Sequence, residues 1–318
     1  MTLIDANMVS LDGYWTLRNN AAAVRRSDRA VIVVTGRDRA AWLQGLLTND
    51  VVALQEGQSC YSAYLTPQGR MITDMQVVAL ADRIWLDVPA PLASPLRDRL
   101  DGLIFAEDAQ VIDASESIAP WGIYGPRAKV PEFQGSKVPG FQDASYRVPG
   151  LTLYVDADEP LPSELTELPE VSLDTLDVLR IEAGTPKFLV DMDESTIPLE
   201  AGIEDRAISF TKGCYVGQEV IVRVTHRGGG RVAKRLVRWR CQTPFQNLPS
   251  WAKVVPTHPV PDKPRIYAGN REIGRVTSAA FSPAENALIG LGYVHRDFAA
   301  AGTAIAVVTS TRIDAAIL

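Results

Sequence analysis

The stretch YSAYLTPQGRMITDMQVVAL, Tyr61 to Leu80, reads as two strands joined by a turn. Apolar residues recur with period two in YSAYL and again in MQVVAL, as they do in a half-buried strand. Between them Pro67 and Gly69 supply one fixed and one permissive φ angle, so the pair is expected to form a hairpin. Asp74 interrupts the second strand. A carboxylate in an apolar strand is costly unless it meets a donor, a cation or a ligand, or unless the strand turns it outward at an edge.

Outward from this hairpin the same period appears in VIVV, Val31 to Val34, and in RIWLDV, Arg83 to Val88. Helical spacing follows in RDRAAWLQGLL from Arg37, PLASPLRDRLDGLIF from Pro91 and LDTLDVLRIEAG from Leu173, the last stopped by Gly184 and Pro186. This mixed, non-repeating order predicts an α+β fold. The Pro- and acid-rich run from Asp156 to Ser172 is expected to cross the surface between elements. After the triplet Gly228 to Gly230 the pattern turns to short strands, in RVAKRLVRWRC, REIGRVTSAAF, ALIGLGYV and TAIAVVT, which predict a small all-β barrel or sandwich over 231–318.

Composition narrows the function. With 318 residues the chain can bury a large core without a disulfide scaffold, and Cys60, Cys214 and Cys241 are too few and too scattered for a C-x-x-C cage. A metal or cluster would need ligands from outside the chain. The net charge of −6, from 32 basic and 38 acidic residues, argues against a polyanion partner, so no direct nucleic-acid binding is expected. The run Arg223 to Arg240 is rich in arginine, but alternation scatters its charges over both faces of a strand. MTLIDANMVSLDGYW at the start has no basic region followed by an apolar block, and no apolar run nears the roughly 20 residues that span a bilayer. A cytoplasmic protein with no membrane partner is the expectation.

Chemistry is suggested by TKGCYVGQEV, Thr211 to Val220. Lys212 and the flexible Gly213 precede Cys214, a setting that can lower a thiol pKa, while a small buried residue at a tight turn is the alternative. His226 lies beyond VIVRV, read as a strand, and has no spacing that marks it as a base. In TIPLEAGIEDR, Thr196 to Arg206, Glu200 sits beside an apolar patch, suited to a ring with adjacent N–H donors or to a helix start.

Together these stretches resemble the YgfZ family of folate-binding proteins, relatives of mitochondrial iron–sulfur assembly factors and, more distantly, of the glycine-cleavage T-protein, an aminomethyltransferase. The resemblance spans most of the chain: Ala40 to Asp74 is similar to the opening of the T-protein superfamily, and LRIEAGTP and IPLEAG to its folate-pocket segments. KGCYVGQEV, Lys212 to Val220, resembles the YgfZ signature, and T-proteins lack its cysteine. The resemblance implies a tripartite T-protein-like folate-binding region over 1–230, with two intertwined α+β subdomains, and a C-terminal barrel over 231–318. It implies tetrahydrofolate or a derivative as cofactor, with Glu200 reading the pterin through paired hydrogen bonds. Asp74 occupies the region of the T-protein catalytic aspartate, but Thr73 stands where the paired acid would be. Lys212, Tyr215, Gln218 and Glu219 would shape the cysteine loop or the folate tail, and Arg223 and Arg227 would meet the tail's carboxylates.

The function expected from this resemblance is a folate-binding accessory protein for iron–sulfur cluster assembly or repair, serving cluster-dependent enzymes that include tRNA-modifying ones. Cys214 would contact a shared cluster, a carrier or a client protein. The alternative is a folate-dependent one-carbon transferase of the T-protein kind, with Asp74 assisting attack at a folate nitrogen. A third reading keeps the fold as a scaffold without a small ligand.

Overall fold

The computed structural model describes residues 10–128, 140–227, 229–241, 264–309 and 311–318. The start of the N-terminal stretch, Gly228 and the side chain of Arg227 lie outside the described residues. The first strands are β1 (Ala22–Arg25), β2 (Arg29–Thr35), β3 (Ser59–Leu65), β4 (Met71–Ala79) and β5 (Ile84–Pro89). They are followed by β6 (Gln110–Asp113), β7 (Ile118–Tyr124), β8 (Gly140–Gln142) and β9 (Gly150–Asp156). These make a five-stranded antiparallel sheet in the order β3-β4-β5-β2-β6 and a four-stranded one in the order β1-β7-β9-β8. The expected hairpin is β3 and β4, closed by the Thr66 N–H to Arg70 O bond with Gly69 at φ 73°.

Alternation gives the five-stranded sheet two different faces. One carries Ile32, Met75 and Leu86 against Trp42, Leu43, Leu96 and Leu100 of the helices Arg39–Leu46 and Ala93–Asp101. The other is divided along its length. At one end Val31, Val33, Val78 and Trp85 pack on Tyr154 of β9, with the two rings edge to face at 5.1 Å. At the other end Arg29, Asp74, Gln76 and Asp87 carry the same alternation in polar side chains and line a cavity.

The C-terminal strands β10 (Lys234–Cys241), β11 (Arg265–Ala268), β12 (Arg271–Ser282), β13 (Ala287–His295), β14 (Ala304–Val308) and β15 (Arg312–Ile317) close a barrel. The chain thus has the α+β fold with a C-terminal barrel that its patterns implied. Val237, Trp239 and Cys241 of β10 point into the barrel core, and the intervening Arg238 and Arg240 meet Glu285.

The helix Leu173–Ala183 joins these parts. Ser172 caps its start by accepting from the Thr175 N–H, and Gly184 ends it at φ 78°, the stop that the sequence predicted. It is buried almost all round, so its charged residues need partners inside the protein. Glu182, 1% exposed, accepts from the hydroxyls of Tyr14 and Ser282 and pairs with Arg18. Arg180, 4% exposed, donates to Asp177, Asp191 and Ser278. The helix is therefore tied to the N-terminal helix Leu11–Asn19 and to barrel strand β12.

One sequence reading is overturned. VIVRV is not a strand: Gln218–Val222 is helical and Arg223–Arg227 continues as a wider π turn. The left-handed Gly217, φ 83°, turns the chain into this helix, and burial of Ile221 outweighs the β preference of the neighbouring valines. Among the described residues no helix is long and apolar enough to cross a membrane.

Removing the Glu182 carboxylate strands a half-buried arginine and two buried hydroxyls. Glu182→Ala should lower unfolding free energy by about 3–5 kcal/mol in urea titration, and Glu182→Gln, which keeps an acceptor, by less.

Candidate functional site

The polar end of the five-stranded sheet is the floor of a cavity of about 820 Å³, a size that takes a drug-sized ligand. Arg29 is its centre. Its Nε donates to Asp87 Oδ1 at 2.5 Å and an Nη to Asp74 Oδ1 at 3.2 Å. The Tyr61 hydroxyl donates to the second oxygen of Asp74 at 2.8 Å, and the Tyr154 hydroxyl to that of Asp87 at 2.8 Å. Burial opposes the charge on Arg29, but Asp87 and Asp74 outweigh it and hold the guanidinium well above the ordinary arginine range. Burial, then the Asp74 charge, pushes the Tyr61 phenol well up, so it remains a donor. Asp74 is thus neither at an edge nor turned outward: β4 lies between β3 and β5, and the residue is 4% exposed.

Around this floor the wall alternates in charge. Asp28 pairs with Arg26 at 3.0 Å and with Lys187 at 3.0 Å, and Asp143 accepts from the Tyr124 hydroxyl at 2.8 Å. Burial works against ionising Asp28, but Arg26 and Lys187 hold its carboxyl far below the usual carboxylate range. Arg180 reaches the wall from its helix, and Arg206 lies over the Tyr61 ring, 4.3 Å from the centroid.

The residues singled out from the sequence do not all converge here. Asp74 lines the cavity; Glu200, Cys214 and the rest of the KGCYVGQEV loop do not. Glu200, in the short helix Pro198–Ala201, is 8% exposed and faces Lys234 Nζ of β10 at 3.6 Å. Lys212 is committed elsewhere: its ammonium donates to the carbonyls of Gln44, Leu47 and Asn49, at 2.6, 2.6 and 2.9 Å, closing the end of the helix Arg39–Leu46. Burial lowers its pKa to about 8. The expected pairing of Lys212 with Cys214 is therefore replaced by a helix-capping role.

Tyr215 is buried among Leu65, Met71 and Ile221, anchoring the loop in apolar surroundings. Cys214 is exposed, as are Glu219, Arg223 and His226, and Gln218 is half-buried. The loop is pressed onto the hairpin turn so closely that a Cβ on Gly217 would stand 2.5 Å from Thr66 O, and one on Gly69 2.8 Å from Val220. The turn that first suggested the fold is thus the platform for the cysteine loop.

Arg29, Tyr61, Asp87, Arg206 and Cys60 line the cavity but went unremarked as site residues in the sequence. Asp87 carried a usable signal, since RIWLDV holds an acid in an apolar strand just as Asp74 does. The β4–β5 register, with Gln76 opposite Asp87, then supplies a second carboxylate beside Asp74 from a different strand. Burial pushes the Cys60 thiol up to about 12.

Asp28 gives the site a definite pH dependence. Its folded pKa is depressed, so its contribution to stability is full above the unfolded value of about 3.9 and is lost progressively as pH falls below it. Asp28→Asn should be less stable than wild type at pH 7 by thermal unfolding, with the difference shrinking steadily between about pH 4 and pH 2.

Comparison with known proteins agrees with this architecture. Residues 6–130 match the GCVT N-terminal domain, and residues 253–318 match the glycine cleavage T-protein C-terminal barrel domain. An aminomethyltransferase of Halothermothrix orenii is 25% identical over 95% of this chain and 88% of its own length. An iron–sulfur cluster assembly factor IBA57 homolog, mitochondrial, of Phaeosphaeria nodorum is 27% identical over 69% of this chain and 57% of its own. The crystal structure of glycine cleavage system aminomethyltransferase T from Bartonella henselae superposes with a TM-score of 0.80 at 21% identity, covering 96% of this chain and 87% of that one. The chain thus carries a GCVT N-terminal domain and a T-protein C-terminal barrel domain, arranged in the T-protein fold.

Proposed function

We propose that this chain is a folate-binding accessory protein for iron–sulfur cluster assembly or repair, of the YgfZ kind, and that Cys214 is its contact with a cluster, carrier or client protein. The observation that carries this reading is the state of Asp74. Both its oxygens are occupied, one by Arg29 and one by Tyr61, so its place is to hold the floor together. Of the three cysteines, Cys214 is the exposed one, on a loop braced by the hairpin. The likeness to an iron–sulfur assembly factor supports the same direction.

The cavity suits a folate. Its volume is ample, and its floor offers the amide oxygen of Gln76 as an acceptor for the N–H edge of a pterin, beside the Asp74–Arg29–Asp87 set. Glu200 faces Lys234 outside this lining, so the pterin-reading role falls to Gln76 in this reading. When bound, tetrahydrofolate would supply a nitrogen that carries one-carbon units. The chain's own residues orient it, through the rigid Asp74–Arg29–Asp87 floor, and screen it from water. Clients would include cluster-dependent tRNA-modifying enzymes, reached through protein contact rather than through nucleic acid.

The second reading is a one-carbon transferase, favoured by the aminomethyltransferases that align with nearly the whole chain. It requires turnover of an aminomethyl or N-methyl substrate with tetrahydrofolate, and a large loss on Asp74→Asn.

Cells lacking this protein should show depressed activity of cluster-dependent enzymes, restored by wild type and not by Cys214→Ser at equal soluble abundance. Full restoration by Cys214→Ser would sink the cysteine's role. In the purified protein a single thiol should react quickly with a disulfide reagent at pH 8, and Cys214→Ser should abolish that phase, because Cys60 is held protonated and Cys241 is buried.

A further inference from the structure

The cations on the cavity wall are Arg26, Arg29, Arg180, Lys187 and Arg206. The first four are each matched to carboxylates: Arg26 to Asp28, Arg29 to Asp74 and Asp87, Arg180 to Asp177 and Asp191, and Lys187 to Asp28. Arg206 is different. Among the described residues it pairs with no carboxylate, and its guanidinium rests on the face of Tyr61, which lines the same cavity. The carboxylates that line the cavity near Tyr61 are already engaged, Asp74 by Arg29 and Tyr61 itself, and Asp87 by Arg29 and Tyr154.

We propose that Arg206 is the anion subsite of the cavity and receives a carboxylate on the ligand's tail. Stacking on Tyr61 holds the planar guanidinium by its face and leaves its N–H edge free, the edge that accepts a carboxylate bidentately. The backbone holds this position as well, since Asn49 Nδ2 donates to Arg206 O at 3.0 Å. The ligand class follows from the wall. A ring with N–H donors finds the Gln76 amide on the floor, and an acidic tail meets Arg206, which among the described residues has no acid of its own. This deepens the folate reading and rests on it, and it moves the tail contact from Arg223, which is exposed and outside the lining, to Arg206.

The test compares tetrahydrofolate, which has tail carboxylates, with tetrahydropterin, which has none, by calorimetric titration of the full chain. Wild type should bind tetrahydrofolate the more tightly. Arg206→Gln should weaken tetrahydrofolate roughly tenfold and leave tetrahydropterin unchanged, with Arg206→Lys in between. Equal weakening of both ligands, or of neither, would overturn the subsite. Glutarate, a dicarboxylate with no ring, separates this proposal from the folate reading. Glutarate binding at millimolar concentration that is lost in Arg206→Gln supports the subsite even if tetrahydrofolate fails to bind, which would sink the folate reading alone. Glutarate binding that Arg206→Gln leaves intact, or no binding of either probe to wild type, overturns the subsite.

Discussion

Arg29 between Asp74 and Asp87 is the constraint from which the site follows. Three side chains from three adjacent strands, each on the same face by alternation, would be prohibitive to bury one at a time. Together, with Tyr61 and Tyr154 donating to the outer oxygens, they form a closed set of charge-assisted hydrogen bonds. Such a set cannot be covered by apolar packing without leaving charges unpaired. The second sheet therefore covers only the apolar end of this face, and the polar end remains a cavity. The cavity exists because the floor is charged.

A second buried network gives that cavity its walls. Arg180 and Asp191 pair at 2.6 Å, and Asp191 also accepts from the Ser278 and Thr277 hydroxyls of the barrel. The wall helix and the loop after it are thus fastened to β12, while Glu182 on the next turn fastens the same helix to the N-terminal helix. The barrel's place in the architecture follows from this. It is a support that fixes the orientation of the helix carrying Arg180, and through it the position of Lys187 and Asp28.

Cavity and cysteine are built by the same hairpin and serve different surfaces. Tyr61 and Asp74 of β3 and β4 face the cavity, while the turn between those strands receives Gly217 and Val220 of the cysteine loop. Any change in the hairpin is felt by both. The cavity and the exposed thiol are thereby placed on one rigid element, which gives a physical route for the state of one to bear on the presentation of the other.

Much of this was legible in the chain itself. Period-two runs gave β2 to β5, Gly184 and Pro186 marked the end of the long helix, and short strands after the glycine triplet gave the barrel, because these depend on local alternation and on φ preferences that a residue carries with it. The odd placement of Asp74 also announced that a partner was waiting. What the chain did not reveal is which partner. Arg29 opens β2, a strand distant in sequence from β4 and β5, and meets Asp74 and Asp87 only through the order β4-β5-β2. Lys212 looked like the activator of Cys214 because they are two residues apart, yet three carbonyls at a helix end, far away in sequence, hold its ammonium. VIVRV looked like a strand because valine favours one, until burial of Ile221 fixed a helix. Sequence determined the elements and their polar exceptions; the pairing of charges across distant strands is a property of three-dimensional register, and only the tertiary structure decided it.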